Sequence, residues 1–442
     1  MAVTLEHHGP ADPADSVDPG GALSSRAAAE AFLGGVCFKL GPPQRIGAEL
    51  EWLTAQGECP PTHPLAARPR LSALATALGP HAPSILAPGS PALPLPGGSR
   101  VSVEPGGQIE LSSEPFATAD ALCENLRADA RLLADLLAAA GIRPVDRAAD
   151  ADRRAERLLR SPRYRAMERL FAGIGPFGKL MMCNTAATQV SVDAGADPAE
   201  VAARWTMLYA AGPALVAAFA CSPGLHGAPP GAWASQRMRT WLRLDGTRTR
   251  PPVPDWADPV TGYARWALDV PLLCVRRSGA AAPTAPASGC PDWSPPPGAT
   301  FADWLSGALD DEIGRRPDLD DLRYHLTTLF PPVRACGHLE IRYLDAQPGE
   351  DWTVPIHLFD ALLSAPRVVA EATRLAGPVE GEWARAARHG LADPQIRAVA
   401  ADLLELSACH ARTSAAAADL AAAARRARAG RTPADAPVRA LS

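Results

Sequence analysis

The sequence predicts an α+β protein built around a largely antiparallel sheet. Three observations carry this reading: several stretches alternate apolar and polar residues, others repeat apolar residues every three or four positions, and the two kinds follow no regular βαβ order. The 442 residues, 47% hydrophobic and 21% charged, suffice for a large core and exclude a disordered or fibrous chain.

Residues 1–23 read as a flexible tail, because MAVTLEHHGPADPADS has neither the positive start nor the apolar stretch of an export signal. Nine cysteines are scattered without a CxxC pair, the pattern of reduced thiols in a cytoplasmic protein. A helix follows over about 24–40, closed by Gly41-Pro42-Pro43, and then a strand over Arg45–Leu53. Residues 59–98 form a Pro- and Gly-rich surface excursion around one short helix. RVSVEPGGQIELS is a hairpin turning at Pro105-Gly106-Gly107. Ala117–Ala140 places Leu122, Leu126, Leu133 and Leu137 at helical spacing and stops at Gly141.

Ala151–Phe171 reads as a charged helix and Leu180–Asp193 as extended chain. Trp205–Cys221 is too short to span a bilayer and carries Gly212-Pro213 midway, so it predicts a buried, kinked helix. Residues 277–298 are a proline-rich insertion or mobile loop. Leu339–Leu344 is a strand, and helical sequence resumes at Pro378 and runs to about Arg428 with a break between Gly390 and Pro394. These elements are expected to form a single domain over 24–430, flanked by tails 1–23 and 431–442. A formal charge of −5 with no basic stripe argues against nucleic-acid binding, and no segment suits a membrane.

The strands share one rule. In IGAELEWL, Ile46, Ala48, Leu50 and Trp52 fall on one face and Glu49 and Glu51 on the other. In the hairpin, Val101, Val103, Ile109 and Leu111 oppose Ser102, Glu104, Gln108 and Glu110. Val190 and Val192 oppose Gln189, Ser191 and Asp193, while Leu339, Ile341 and Tyr343 oppose His338, Glu340 and Arg342. Two readings stand: each polar face meets water, or the acids gather around a cation. The absence of lysine among them favours the second, and hard oxygen donors select Mg²⁺ or Mn²⁺. SQRMRTWLRLDGTRTRP supplies Arg237, Arg239, Arg243, Arg248 and Arg250, either as a solvated basic loop or as partners for phosphate and carboxylate.

Other chemistries fit poorly. GIGPFGKL has P-loop spacing as far as Lys179, but Leu180 stands where Ser or Thr should hold Mg²⁺ and a helix rather than a strand precedes it, so it reads as a tight connection. There is no G-x-S-x-G elbow and no H-E-x-x-H. Cys183 and Cys336 read as core thiols, Cys409-His410 as structural, and His325 and His338 as local hydrogen-bonding residues.

The segments IGAELEWL, VEPGGQIELSS, SPRYRAMERLFAGIGPFGKLMMCNTAATQVSVD, YARWALDVPLL and HLTTLFPPVRACGHLEIRYLDAQP, spread over about residues 45–350, resemble the glutamate-cysteine ligase family in its plant and actinobacterial branch. The resemblance implies a glutamine synthetase-like catalytic domain: a curved sheet with helices on its outer side, whose concave face holds ATP and two or three Mg²⁺ ions, Mn²⁺ being an alternative. It makes Glu49, Glu51, Glu104, Glu110 and Glu340 metal ligands, with Gln189 where other branches use histidine. Arg342 and Glu340 become catalytic, Arg342 and Arg239 nucleotide contacts, and Arg163, Thr185 and Arg237 contacts to substrate glutamate. The implied reaction joins the glutamate γ-carboxylate to the amine of cysteine through γ-glutamyl phosphate, for thiol and in particular ergothioneine synthesis. A monomer acting on small molecules is expected. A same-fold ligase for another amine, or a non-catalytic nucleotide-binding relative, are the alternatives.

Overall fold

The computed structural model describes residues 23, 25–57, 66–251, 258–277 and 291–435. The expected tail 1–23 falls almost wholly outside these residues, as do most of the expected loop at 277–298 and the end of the tail 431–442.

The strands are β1 Ile46–Gln56, β2 Arg100–Val103, β3 Ile109–Ser112, β4 Ile142–Val145, β5 Ala187–Val192, β6 Val333–Ala335 and β7 Leu339–Asp345. They form one sheet in the order β2-β3-β1-β5-β7-β6, with β4 pairing the second half of β1, and every pairing is antiparallel. The α+β architecture read from the alternation is therefore the one that forms. Strand β1 sits at its centre because it is long enough to serve β5 with Ile46–Leu50, β3 with Glu49–Trp52 and β4 with Leu53–Gln56.

The oily face of the sheet is covered by helices. Leu50, Val190 and Ile341 are all 2% exposed or less. Across β6 and β7 lies the helix Pro198–Ala218, whose Tyr209 hydroxyl donates to Val333 O at 3.0 Å and whose Leu208 O accepts from the Tyr343 hydroxyl at 3.2 Å. Each large apolar side chain buried there contributes about 1.5–3 kcal/mol. This helix is the expected buried one, continuously buried from Met207 to its end with Pro213 inside it. Gly212 is required by packing: a Cβ there would stand 2.0 Å from the Trp383 ring. Among the described residues no helix is long and apolar enough to cross a membrane.

Several local expectations are corrected. The helix expected over Ala151–Phe171 occupies only Pro162–Ile174. Ahead of it, Asp150 accepts from the Asp152 and Arg153 amides, and Pro105 O accepts from Leu158 N, so the chain is pinned outside a helix. Ser161 is extended (ψ 154°) because it precedes a proline, and Pro162 opens the helix. Of Leu180–Asp193, expected to be extended, the first five residues belong to the helix Phe177–Asn184 and only Ala187–Val192 is strand. The β-branched residues lie in the second piece, while GKLMMCN has none. Strand β4 gave no alternation because Pro144 interrupts it. Near the C-terminus, a short 3₁₀ turn at Gly377–Val379 precedes helices Trp383–His389, Pro394–His410 and Ser414–Arg428, with the break where Gly390 adopts φ +53°.

Candidate active site

The opposite face of the sheet carries the charged residues. Register places Glu51 across from Glu110, Glu49 across from Gln189, Ser191 across from Glu340, and Glu340 across from Arg334. Neighbouring strands lie about 4.8 Å apart, so residues as distant in sequence as Ser191 and Glu340 become side-by-side neighbours. Gln189 Nε2 donates to Glu49 Oε2 at 2.8 Å and to Glu51 Oε1 at 3.2 Å, and Glu51 Oε2 accepts from Ala187 N at 2.9 Å. Ser102 on β2 donates to Glu110 at 2.6 Å. Glu340 accepts from Arg334 at 2.9 Å and from Arg342.

Electrostatics divide this face in two. Burial pushes the Glu49 carboxyl well above the ordinary carboxylate range, and the nearby Glu110 and Glu340 push it further. Burial also raises Glu51, with Glu110 adding to it. Burial would raise Glu340 too, but Arg334 and Arg342 together overcome it and hold that carboxyl well below the usual range. Acids crowd β3 and β1, and arginines crowd β7 and β6. A divalent cation fits the acidic half on two grounds. The donor set is carboxylate and amide oxygen, which suits a hard ion. In addition, Gln189 Oε1 is buried without a hydrogen-bond partner among the described residues while its amide nitrogen is doubly used, leaving an acceptor in place for an ion.

Beside this half lies a cleft. Glu51, Glu104, Gln108, Thr185, Arg237 and Arg342 form its polar lining, and Tyr164, Met167, Met181, Met182 and Trp241 its apolar wall. The hairpin turn positions Glu104: Gly107 adopts φ +85°, and a Cβ on Gly106 would lie 2.4 Å from Cys183 O. Gln108 Nε2 then ties the turn to Thr185 O at 3.0 Å. Ser235 caps the helix Gln236–Leu244, and Arg237 Nη2 donates to Arg342 O at 2.7 Å. Arg237 Nη1 lies 4.0 Å from Asp345, a buried carboxylate that accepts from Ser222 and Ser235 hydroxyls at 2.6 and 2.8 Å.

Two expected contacts lie elsewhere. Arg163 donates to Thr327 Oγ1 and O, each at 2.8 Å, and stacks 5.3 Å over Tyr324, whereas its neighbour Tyr164 lines the cleft. Arg239 donates to Pro229 O at 2.7 Å and sits between Phe177 and Trp233. Two helix positions apart means about 200° of rotation, so Arg237 and Arg239 leave the helix on opposite sides and only Arg237 lines the cleft. Arg248 braces Asp245 at 2.6 Å and the carbonyl of Pro271 at 2.7 Å. His325 contacts Ala267 O at 2.8 Å, a bond to a distant segment rather than the local one expected, while His338 makes the expected local contact, to Cys336 Sγ at 3.4 Å. Cys336 is exposed rather than the expected core thiol, and with His338 and Glu340 it offers ligand atoms within 4.8 Å of one another. Arg334 and Asp345 were not singled out from sequence: the three-residue strand β6 is too short to show alternation, and Asp345 ends β7 with no acidic neighbour.

Clustered acids for cations beside arginines for phosphate are what phosphoryl transfer to a carboxylate requires. The chain belongs to the glutamate-cysteine ligase family 2, whose pattern matches residues 45–440. It is 36% identical over 389 residues to the glutamate-cysteine ligase EgtA of Mycolicibacterium smegmatis, covering 87% of this chain and 85% of that one. The EgtA of Mycobacterium tuberculosis is 37% identical over 393 residues, 87% and 84% of the two chains. Among solved structures, the glutamate-cysteine ligase of Francisella tularensis, crystallised with AMP, has the same fold, with a TM-score of 0.51, 13% identity, and 89% and 84% of the chains covered.

Proposed function

We propose that this protein joins the γ-carboxylate of glutamate to the amine of cysteine at the expense of ATP, releasing γ-glutamylcysteine, ADP and phosphate. The observation that carries the reading is the register that sets Glu49, Glu51, Glu110, Gln189 and Glu340 on one sheet face next to Arg342, in a chain of this family. The product supplies thiol biosynthesis, ergothioneine in particular, and the chain acts as one catalytic unit over 24–430.

A carboxylate cannot be displaced by an amine at neutral pH until an oxygen has become a leaving group. The γ-carboxylate oxygen therefore attacks the terminal phosphorus of ATP and ADP leaves. The cysteine nitrogen, as free amine, then attacks the acyl carbon, and the C–O bond to phosphate breaks. Glu49, Glu51, Glu110, Gln189 and Glu340 are the residues that would hold Mg²⁺, which supplies charge neutralisation to the phosphoryl group when bound. Glu104, on the cleft wall, completes that set from the hairpin. Arg342 faces the transferred phosphoryl oxygens. Arg237 and Thr185, from the cleft lining, bind the glutamate, and the apolar wall of Tyr164, Met167 and Trp241 keeps water from the acyl phosphate. Arg163, which holds Thr327, and Arg239, which holds the carbonyls of Pro229 and Pro230, lie outside the cleft lining and are left out of this set.

The test is ADP formation by purified protein with glutamate, ATP and Mg²⁺, with and without cysteine, alongside mass detection of the dipeptide. Cysteine-dependent ADP and γ-glutamylcysteine are expected. Turnover with another amine but not cysteine would transfer the reading to a different acceptor, and binding of nucleotide without turnover would leave only the non-catalytic alternative.

A further inference from the structure

Arg334 is the residue of this face that the reaction as derived does not use. It is 6% exposed, on β6 at the end of the face farthest from Glu110. Its Nη2 donates to Glu340 at 2.9 Å, while its Nε and Nη1 are buried with no hydrogen-bond partner among the described residues. The same is true of Nε of Arg342, which shares Glu340 with it. Two guanidinium groups thus converge on one carboxylate, leaving a net positive charge and three unsatisfied nitrogens in a desolvated place. Buried donors of this kind are seldom left unpaired in a working protein. Their missing partner must be an anion, because every one of them is a cationic donor and none can accept.

The position says which anion. Moving from β3 through β1 and β5 to β7 and β6, the face changes from carboxylates to an amide oxygen to arginines, at about 4.8 Å per strand. A phosphate chain lying along that line would have its metal-bound oxygens over the acids and its remaining oxygens over the guanidinium groups. We propose that Arg334 is a phosphate-binding residue, a second anchor beside Arg342 whose Nε and Nη1 donate to the phosphate chain of ATP. This rests on the ligase reading above. The competing role, in which Arg334 only holds Glu340, would leave Nε and Nη1 unexplained.

The experiment is calorimetric titration of the full chain and of its Arg334→Met and Arg334→Lys variants with AMPPNP and with AMP, both in Mg²⁺. Manganese binding without nucleotide, read by electron paramagnetic resonance, is the control. Loss of a charge-assisted fork to phosphate should weaken AMPPNP about 10- to 100-fold in Arg334→Met. AMP and nucleotide-free Mn²⁺ should stay within about threefold of the parent, because AMP lacks the two terminal phosphates that would reach Arg334 and Mn²⁺ alone carries none. Arg334→Lys should fall between, since lysine keeps charge but not the planar fork. Unchanged AMPPNP affinity in Arg334→Met overturns the proposal, as does an equal loss of Mn²⁺ affinity, which would show that Arg334 acts only through Glu340. If Arg334→Met does not fold, Arg334→Lys decides, and parental AMPPNP affinity in it is the overturning result. A parent chain that binds AMPPNP but makes no γ-glutamylcysteine would remove the ligase reading and leave this proposal standing, whereas an active parent with indifferent variants would do the reverse.

Discussion

At the scale of single residues, the roles proposed for Glu340 and Arg342 can be separated by mutation. Replacing Arg342 with Ala leaves Glu340 still held by Arg334 at 2.9 Å, so the fold should survive while turnover falls about 10²–10³-fold, the cost typical of one lost oxyanion donor. Glu340→Gln is a different matter, because it strands two buried guanidinium groups. Breaking a buried ion pair on one side costs about 3–5 kcal/mol, so a lowered melting temperature is expected together with lost activity. Arg342→Ala with near-parental kcat and an intact melting curve would contradict the assignment. His325 carries a second residue-scale prediction. Burial holds its imidazole down at about 4, and its Nε2 contacts Ala267 O at 2.8 Å while Nδ1 is buried without a partner among the described residues. A carbonyl can only accept, so Nε2 carries the hydrogen and Nδ1 is bare. The folded pKa lies below the unfolded value of about 6.5, so the unfolded chain binds the extra proton first, and stability is lost as pH falls from about 6.5 towards 4. That is about 3 kcal/mol at full titration, visible in urea melts at pH 7 and pH 5 and absent from a folded His325→Gln variant. Period-two alternation made the acids legible at this scale, but which of two nearby arginines faces a cleft was not, since helical rotation of Arg237 against Arg239 matters only once the axis is placed.

At the scale of elements, the hairpin of β2 and β3 governs the site. Its two strands hold Ser102 and Glu110 on the charged face, and its turn leaves Glu104 on the cleft wall. Sequence marked this element well, because Pro-Gly-Gly between two alternating runs has few other solutions. It marked helices less well wherever tertiary bonds compete with local ones: residues 151–161 have helical composition, yet Asp150 and Pro105 O take their amides. The hairpin also gives a prediction. Gly106→Ala puts a Cβ 2.4 Å from a backbone carbonyl, that of Cys183, so either the turn or the helix Phe177–Asn184 must move. Neither end of that contact is a flexible side chain. A loss of about 1–3 kcal/mol in stability is expected, the usual cost of overpacking, with a fall in kcat because Glu104 and Glu110 shift together. Gly173→Ala is the control: nothing lies within 4 Å of its Cβ position, and it should be nearly neutral in both measurements.

At the scale of the whole molecule, the sheet was legible as a type but its strand order was not, because alternation says which residues share a face and nothing about which strand lies beside which. That order sets acids from positions 49, 51, 110 and 340 together, and the gathering has a thermodynamic signature. Burial raises the carboxyls of Glu49 and Glu51 in the folded chain, with mutual repulsion from Glu110 adding to it. A group whose folded pKa exceeds its unfolded value contributes stability that is complete below the unfolded pKa and is lost as pH rises through the folded one. In metal-free protein these two acids should therefore lower stability as pH rises above about 4.5, opposite in sign to His325. A cation bound by the ionised acids reverses the trend, since it binds the folded chain alone and binds best when the acids are charged. Mg²⁺ at about 100 times its Kd would add about 2.7 kcal/mol, and this addition should grow with pH. Thermal melts with EDTA and with Mg²⁺ between pH 5 and pH 8 check it: the two melting curves should diverge as pH rises, and Glu49→Gln should close the gap. Parallel curves across that range would mean that the acidic face does not hold the ion.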